Sequence, residues 1–258
     1  MIASSIQYAS RIQRSILPDP QIFENLFADH FVHWEPRDVV GGDIYWCERW
    51  GDGALAVLGD CTGHGVPGAF MTLIAIGALD RALSEVAQGD VAGLMRRMHQ
   101  LVQVTLNQDG SGGESDDGME LGICYLPAGG QHMTYVGARF SLFVVERGEV
   151  EEIKGDKTGI GYRHVPQDTA FTVPLGCGRF FYLTSDGLID QLGGPKRRAF
   201  GNRRFKELIS GFDGLPFADR RERILQTLAE YQGAEMRRDD VAVMGFTIDT
   251  EAAAAAAE

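Results

Sequence analysis

Four aspartates stand where this chain could do chemistry. Val57–Met71 reads VLGDCTGHGVPGAFM: the apolar run Ala54–Leu58 ends on Gly59-Asp60, two glycines frame His64, and Pro67 opens a long apolar-periodic segment. That order is strand, tight loop, helix. It leaves the Asp60 carboxylate at the mouth of a strand, with Gly63 and Gly65 letting backbone approach a ligand closely. The plainer alternative is a Gly-rich turn whose aspartate caps the helix, and this stretch alone leaves both readings open. The device recurs: Phe180–Leu183 delivers Thr184-Ser185-Asp186-Gly187, Gly41-Gly42-Asp43 opens a strand-like run, and Arg238-Asp239-Asp240 leads into Val241–Ile248. Magnesium and manganese prefer oxygen ligands and keep several waters, so a handful of carboxylates can hold two such ions. Asp43, Asp60, Asp186 and Asp239 are such a set if the fold gathers their strand ends. The sequence has no paired His or Cys ligands, which argues against zinc. His64 reads more readily as a loop hydrogen-bonder than as a catalyst, and no Cys or Ser stands in a nucleophile motif beside a base.

The elements that must position these acids are legible as patterns. Asp43–Arg49 and Ala54–Leu58 flank the turn Trp50-Gly51-Asp52-Gly53, which predicts a hairpin. The start of its first strand and the end of its second share an edge, so Asp43 and Asp60 are expected as neighbours although sixteen residues intervene. Helices are predicted over Pro67–Ala87 and Val91–Leu106, the latter with Leu94, Met98, Leu101 and Val102 as a core stripe. Strands are predicted at Phe31–Glu35, Glu120–Leu126, His132–Val136, Ser141–Glu146, Val150–Ile153, Ala170–Val173 and Arg179–Thr184. Pro-Ala-Gly-Gly and Arg-Gly-Glu turns imply antiparallel pairing. A helix is expected from Leu188–Gln191 and others at Arg203–Ile209 and Phe217–Tyr231. Strands first and last, with helices inserted early and late, suit an α+β fold in which helices cover an antiparallel sheet sandwich. Asn107–Gly118 (NQDGSGGESDDG) reads as a mobile loop whose acidity serves solvation.

Composition bounds the remaining possibilities. The 258 residues, 44% hydrophobic and 23% charged, are enough for one large domain or two small ones. A net charge of −12 without a long basic run disfavours nucleic acid as a partner. Cys47, Cys61, Cys124 and Cys177 are far apart, as expected of reduced thiols in the cytosol. No unbroken apolar run is long enough to span a bilayer, and no signal-peptide pattern opens the chain. Ile2, Ile6, Ala9, Ile12 and Ile16 recur at helical spacing up to Leu17-Pro18. This helix either packs on its own domain or ends a signalling coiled coil that enters from upstream. The expected division is a leader helix at 1–18, a domain at 19–250 and a low-complexity, alanine-rich tail at 251–258.

Taken together, Gly41-Gly42-Asp43, Gly59-Asp60-Cys61-Thr62-Gly63-His64-Gly65, Thr184-Ser185-Asp186-Gly187 and Asp239-Asp240-Val241-Ala242-Val243 fall in the order and spacing of the metal-dependent protein phosphatase (PPM, type 2C) superfamily. The chain more closely resembles its bacterial SpoIIE/RsbU-like branch, where a helix similar to Ile12-Gln13-Arg14-Ser15-Ile16-Leu17-Pro18 precedes the phosphatase domain. The resemblance covers Ile12 to Ile248 and implies an α-β-β-α sandwich, two antiparallel sheets flanked by helices, holding two or more Mg2+ or Mn2+ ions. Carried over by position, Asp60 resembles the carboxylate that bridges both metals, and the Cys61 backbone carbonyl resembles an extra ligand. Asp186 and Asp239 resemble ligands of one ion, and Asp43 the carboxylate that holds the second, directly or through its water. Spacing alone leaves both Asp239 and Asp240 open as the ligand; Asp239 is favoured because it matches the first acid of the closing motif. Cys61 departs from the usual glycine, which is tolerable because only its carbonyl is needed. The eukaryotic branch grips phosphate with an arginine near the first motif; Arg37 stands near that place and reads as an ordinary surface charge.

The resemblance implies a protein serine/threonine phosphatase that acts through metal-activated water, with Asp60 and Asp186 at the reacting centre and His64 a possible proton donor. Its expected substrate is phosphoserine or phosphothreonine on a small regulatory protein of the anti-sigma-factor-antagonist kind. An upstream sensor module, membrane-bound or not, would control it, and the N-terminal helix could pair two copies. The expected location is the cytoplasm. Two other readings remain: a catalytically weak partner-switch binding module, which the complete acidic set opposes, and a hydrolase of small phosphoesters using the same site.

Overall fold

In the computed structural model, residues 2–110, 116–167 and 169–248 are described; the middle of the loop expected at 107–118 and the tail at 251–258 lie outside them. The chain runs α1 (Ile2–Ile16), α2 (Pro20–Glu24), β1 (Asp29–Glu35), β2 (Asp43–Trp50), β3 (Gly53–Cys61), α3 (Gly65–Glu85), α4 (Val91–Thr105), β4 (Met119–Leu126), β5 (His132–Ala138), β6 (Ser141–Glu146) and β7 (Glu149–Lys154). It continues through β8 (Ala170–Pro174), β9 (Arg179–Thr184), α5 (Asp186–Ile189), β10 (Leu192–Gly193), β11 (Arg198–Ala199), α6 (Gly201–Ser210), α7 (Phe217–Gln232) and β12 (Val241–Thr247).

Alternation along the central strands sorts their side chains into separate cores. In β3, Leu55 and Val57 point to the side covered by α3 and α4, while Ala54, Ala56 and Leu58 point to the space between two sheets. In β12, Ala242, Met244 and Phe246 enter that same space, and Val241 and Val243 meet α6 and α7 on the far side. Strands covered on both faces need unbroken apolar runs, which is why β3 and β12 read as near-continuous hydrophobic segments. The result is the expected α-β-β-α arrangement: one five-stranded sheet ordered β2-β3-β4-β5-β8 and another ordered β1-β12-β9-β6-β7. Every pair in them is antiparallel.

Several elements differ from expectation. The pairs expected across Pro-Ala-Gly-Gly and Arg-Gly-Glu form as β4–β5 and β6–β7, and the chain changes sheet between them. The helix expected at Leu188 is a single turn that begins at Asp186 itself. Strand β3 continues through Cys61, placing Asp60 inside the ladder rather than beyond it. The short elements α2, β10 and β11 are too brief to leave a periodic signature. The loop after α4 has a polar anchor: buried Gln108 donates to the carbonyls of Asp117 and Gly161 and accepts from the Asp117 amide. By length and apolarity α3 would suffice to cross a membrane; its Ala75, Ala78, Leu79 and Ala82 are buried on the sheet side.

Helix α1 lies on α3. Gln13 and Ser10 are buried on its inner face, whereas Tyr8 and Ile12 are exposed. At the N-terminus of α3 the backbone is crowded. A Cβ on Gly68 would lie 2.3 Å from the Gly63 oxygen and 2.9 Å from the Gly42 Cα, so only glycine lets the helix start cross the strand that carries Asp43. Overpacking of this kind costs about 1–3 kcal/mol. Gly68→Ala is therefore expected to lower Tm by roughly 2–4 °C per kcal/mol lost; an unchanged melting curve would show that the crossing relaxes freely.

Candidate metal centre

The β2–β3 hairpin sets Asp43 directly opposite Asp60, and the next strand continues the row with Glu120 opposite Asp60. The second sheet delivers the other acids. β9 and β12 pair with Thr184 opposite Val243, which puts Asp186 just past the end of one strand and Asp239-Asp240 just before the start of its neighbour. The junction is closed by Ser185: its amide donates to the Ala242 carbonyl (2.9 Å), and its hydroxyl accepts from the Ala242 amide (2.9 Å). The same hydroxyl donates to Asp43 Oδ2 at 2.7 Å. A buried serine thus ties the acid of one sheet to the acid-bearing end of the other.

Asp43 is 1% exposed, and its second oxygen, Oδ1, is buried without a hydrogen-bond partner. Burial above all raises the Asp43 carboxyl well above its ordinary range; the Ser185 bond opposes this, and the charges of Asp240, Asp186 and Asp239 add to it. Half-buried Asp60 is raised well above its usual value by burial, then by Asp43 and Asp186. Asp186 reaches solvent at the mouth, yet desolvation and Asp239 raise it too, while its hydrogen bond with Asp60 holds it down. The two carboxyls lie within hydrogen-bond reach of each other, an interaction that raises Asp60 and holds Asp186 down.

Asp240 plays another part. Its Oδ1 accepts the Arg37 amide and its Oδ2 the Gly42 amide, both at 2.6 Å, so both oxygens brace the Gly41-Gly42 loop that leads into Asp43. Asp239 stands beside it, partly exposed, with Oδ1 accepting the Asp240 amide at 2.9 Å. The buried Cys61 thiol is pushed far up by burial, so it stays protonated, and its amide donates to the Gly42 carbonyl. His64 caps the start of α3 from an exposed position and sets Nδ1 3.4 Å from Asp38. Its charge is felt by Asp240, but its carboxylate partner is Asp38, so it stands on the rim. Arg37 spends its guanidinium on the Arg238 carbonyl (3.2 Å) and Asp38 (3.0 Å).

Carboxyls raised by burial and by neighbouring acids, and a buried oxygen with no donor, make a site short of positive charge. A hard divalent cation is the partner its chemistry fits. As the side chains stand, no group of three or more His, Cys, Asp or Glu among the described residues closes on an ion. The reason is visible: Asp60 and Asp186 are bonded to each other, and Asp240 is turned to backbone amides. Seating ions requires the Asp60–Asp186 bond to open. The sequence pattern pointed to Asp43, Asp60, Asp186 and Asp239, and the fold brings these to one end of the sandwich. Ser185, Glu120 and the bracing use of Asp240 were missed; for Glu120, the β3–β4 register was the signal that could have found it.

Similarity to known proteins was found in a family model and among solved structures. A family model described as stage II sporulation protein E (SpoIIE) matches residues 51–249. The SiaA-PP2C domain of Pseudomonas aeruginosa is 38% identical with a TM-score of 0.88, covering 96% of this chain and 97% of that one. The PP2C phosphatase domain with a regulatory fragment of SpoIIE from Bacillus subtilis gives a TM-score of 0.67 at 16% identity, over 86% of this chain and 61% of that one. The RsbU and RsbW domains of Rv1364c from Mycobacterium tuberculosis give 0.68 at 19%, over 86% and 60%. At those identities the last two share the fold alone, and this chain spans about three fifths of their length. No curated protein sequence matches.

The raised carboxyls have a thermodynamic consequence. A group whose pKa is higher folded than unfolded stabilises the protein at pH below its unfolded value and loses that contribution as pH rises through the folded value. Metal-free protein is therefore expected to melt lower at pH 8 than at pH 6. Asp43→Asn, which removes the buried charge, should narrow that gap and raise Tm at pH 8 by roughly 2–4 °C per kcal/mol gained. A variant that melts below wild type at pH 8 without metal would contradict the electrostatic account.

Proposed function

The chain belongs to the SpoIIE family of PP2C-type phosphatase domains, in the SpoIIE/RsbU-like branch of the PPM superfamily, and from that premise we propose that it is a metal-dependent protein serine/threonine phosphatase. The observation that carries this is the buried acid cluster with its donorless Asp43 Oδ1. Asp60 would be shared between two Mg2+ or Mn2+ ions, with the Cys61 carbonyl beside it, Asp186 and Asp239 on one ion and Asp43 on the other. The use of both Asp240 oxygens on backbone amides favours Asp239 as the ligand. When bound, such a pair acidifies water and offsets charge on a phosphoryl group.

The protein's own residues do the rest. Ser185 fixes Asp43 so that only Oδ1 is available. Asp60 and Asp186 face each other at hydrogen-bond reach and would both turn to the ions as ligands. His64, set beside Asp38 on the rim, would be the proton donor to the departing serine or threonine oxygen.

The proposed substrate is a phosphorylated regulatory protein in the cytoplasm, and the proposed division is leader helix 1–18 and phosphatase domain 19–250. Control through the leader has a physical route. Gln13 of α1 donates to the Gly41 carbonyl (2.6 Å) and to Thr72 Oγ1 of α3 (3.1 Å), and accepts the Gly41 amide (3.2 Å). Movement of α1 therefore pulls on the backbone two residues ahead of Asp43. Exposed Ile12, Val66, Phe70 and Leu73 form an apolar groove between α1 and α3, which supports pairing of two copies through this face. A sensor module upstream would act on the same helix.

Two measurements test this reading. With manganese present, the protein should release phosphate from a phosphoserine peptide, and Asp186→Asn should lose about 100-fold or more of that rate; equal release by the variant rules out the metal site. In sedimentation, the full chain should behave as a dimer, while Phe70→Glu and a chain lacking residues 1–17 should be monomers. A monomer in all three removes pairing.

A further inference from the structure

The acid row on the first sheet ends in a cation. Asp43, Asp60 and Glu120 are direct cross-strand partners; the β4–β5 ladder ends with Leu121 opposite Ala138, and Arg139, one residue beyond, forms an ion pair with Glu120. Two strand spacings, roughly 10 Å, separate β5 from β3 along the row. Burial raises Asp186, Glu120 and Tyr162, and the Arg139 charge opposes that rise in all three.

The backbone there is fixed. Arg139 sits at φ +54° in the connection from β5 to β6, its amide donates to the Asp156 carbonyl (2.7 Å), and the Phe140 carbonyl accepts from Tyr135 Oη (2.8 Å) and the Gly155 amide (2.9 Å). Glu120 Oε1 takes Arg139 Nε at 3.0 Å, and half of the side chain is open to solvent. Among the described residues, no acceptor engages its terminal nitrogens. A half-exposed guanidinium paired with Glu120 through Nε keeps its two terminal nitrogens for a ligand, in the fork geometry that binds two oxygens of a phosphate. Arg37, by contrast, already spends both terminal nitrogens on protein acceptors.

We propose that Arg139 binds the phosphoryl group of the substrate, its two terminal nitrogens on two phosphate oxygens while Glu120 holds Nε. This rests on the phosphatase reading for the identity of the ester, but not for phosphate binding itself. A phosphate dianion entering beside Asp186, Asp190 and Glu120 meets like charge, and Arg139 supplies the complement. Binding of this sort acts in ground state and transition state alike, so its loss raises KM more than it lowers kcat.

The test uses R139A and R139K in the full chain. KM and kcat are measured on a phosphoserine peptide with manganese, and inorganic phosphate binding by calorimetry in magnesium buffer. R139A should raise KM and weaken phosphate binding about tenfold or more, with kcat and manganese affinity within about twofold. R139K should recover part of the loss, because it restores the charge without the fork. If wild type cleaves the peptide while R139A keeps its KM and phosphate affinity, the assignment is wrong and the phosphatase reading stands. If wild type cleaves no ester yet R139A still weakens phosphate binding, the assignment stands and the phosphatase reading fails. Loss of manganese affinity in R139A together with the rise in KM overturns the assignment, since the residue would then act on the acids.

Discussion

Like charges gathered in a partly dry place are the constraint on which this structure depends. Asp43, Asp60, Asp186 and Asp240 are each raised by burial, and each by a neighbouring acid. The fold tolerates this by giving Asp43 the Ser185 hydroxyl and Asp240 two amides. Both are substitutes for positive charge. A site arranged this way is unstable toward deprotonation unless cations enter, which links its stability, its ion affinity and its chemistry through one electrostatic term.

Holding such a cluster together requires the two sheets to stay in register at one end of the sandwich. The inter-sheet core of Ala56, Leu58, Leu183, Ala242 and Met244 supplies the adhesion, and Ser185 supplies the alignment by bonding both Asp43 and the Ala242 amide. The glycine crossing at Gly42 and Gly68 lets α3 start close to the same point. Ion site and leader helix are therefore mechanically close: Gln13 reaches the Asp43 loop and α3 with one side chain.

Part of this was legible in the sequence. Asp43 and Asp60 could be paired because a short turn between two alternating runs fixes which residues face each other. The layers could be expected because β3 and β12 are apolar on both faces. That Asp186 and Asp239 belong with them followed from the resemblance of ordered motifs. What was hidden depends on register between elements far apart in the chain: Ser185 against Asp43, Asp240 against the Gly42 amide, Arg139 against Glu120, Gln13 against Gly41. Such partners carry no local periodicity, and each looks like an ordinary polar residue until the strands are aligned.

The central claim is that the acids form one cation site. Crystals grown with manganese and measured at its absorption edge test it directly. The account predicts two anomalous peaks among Asp43, Asp60, Asp186 and Asp239, with the Asp60–Asp186 hydrogen bond broken. Density free of such peaks, with that bond intact in plentiful manganese, would contradict it.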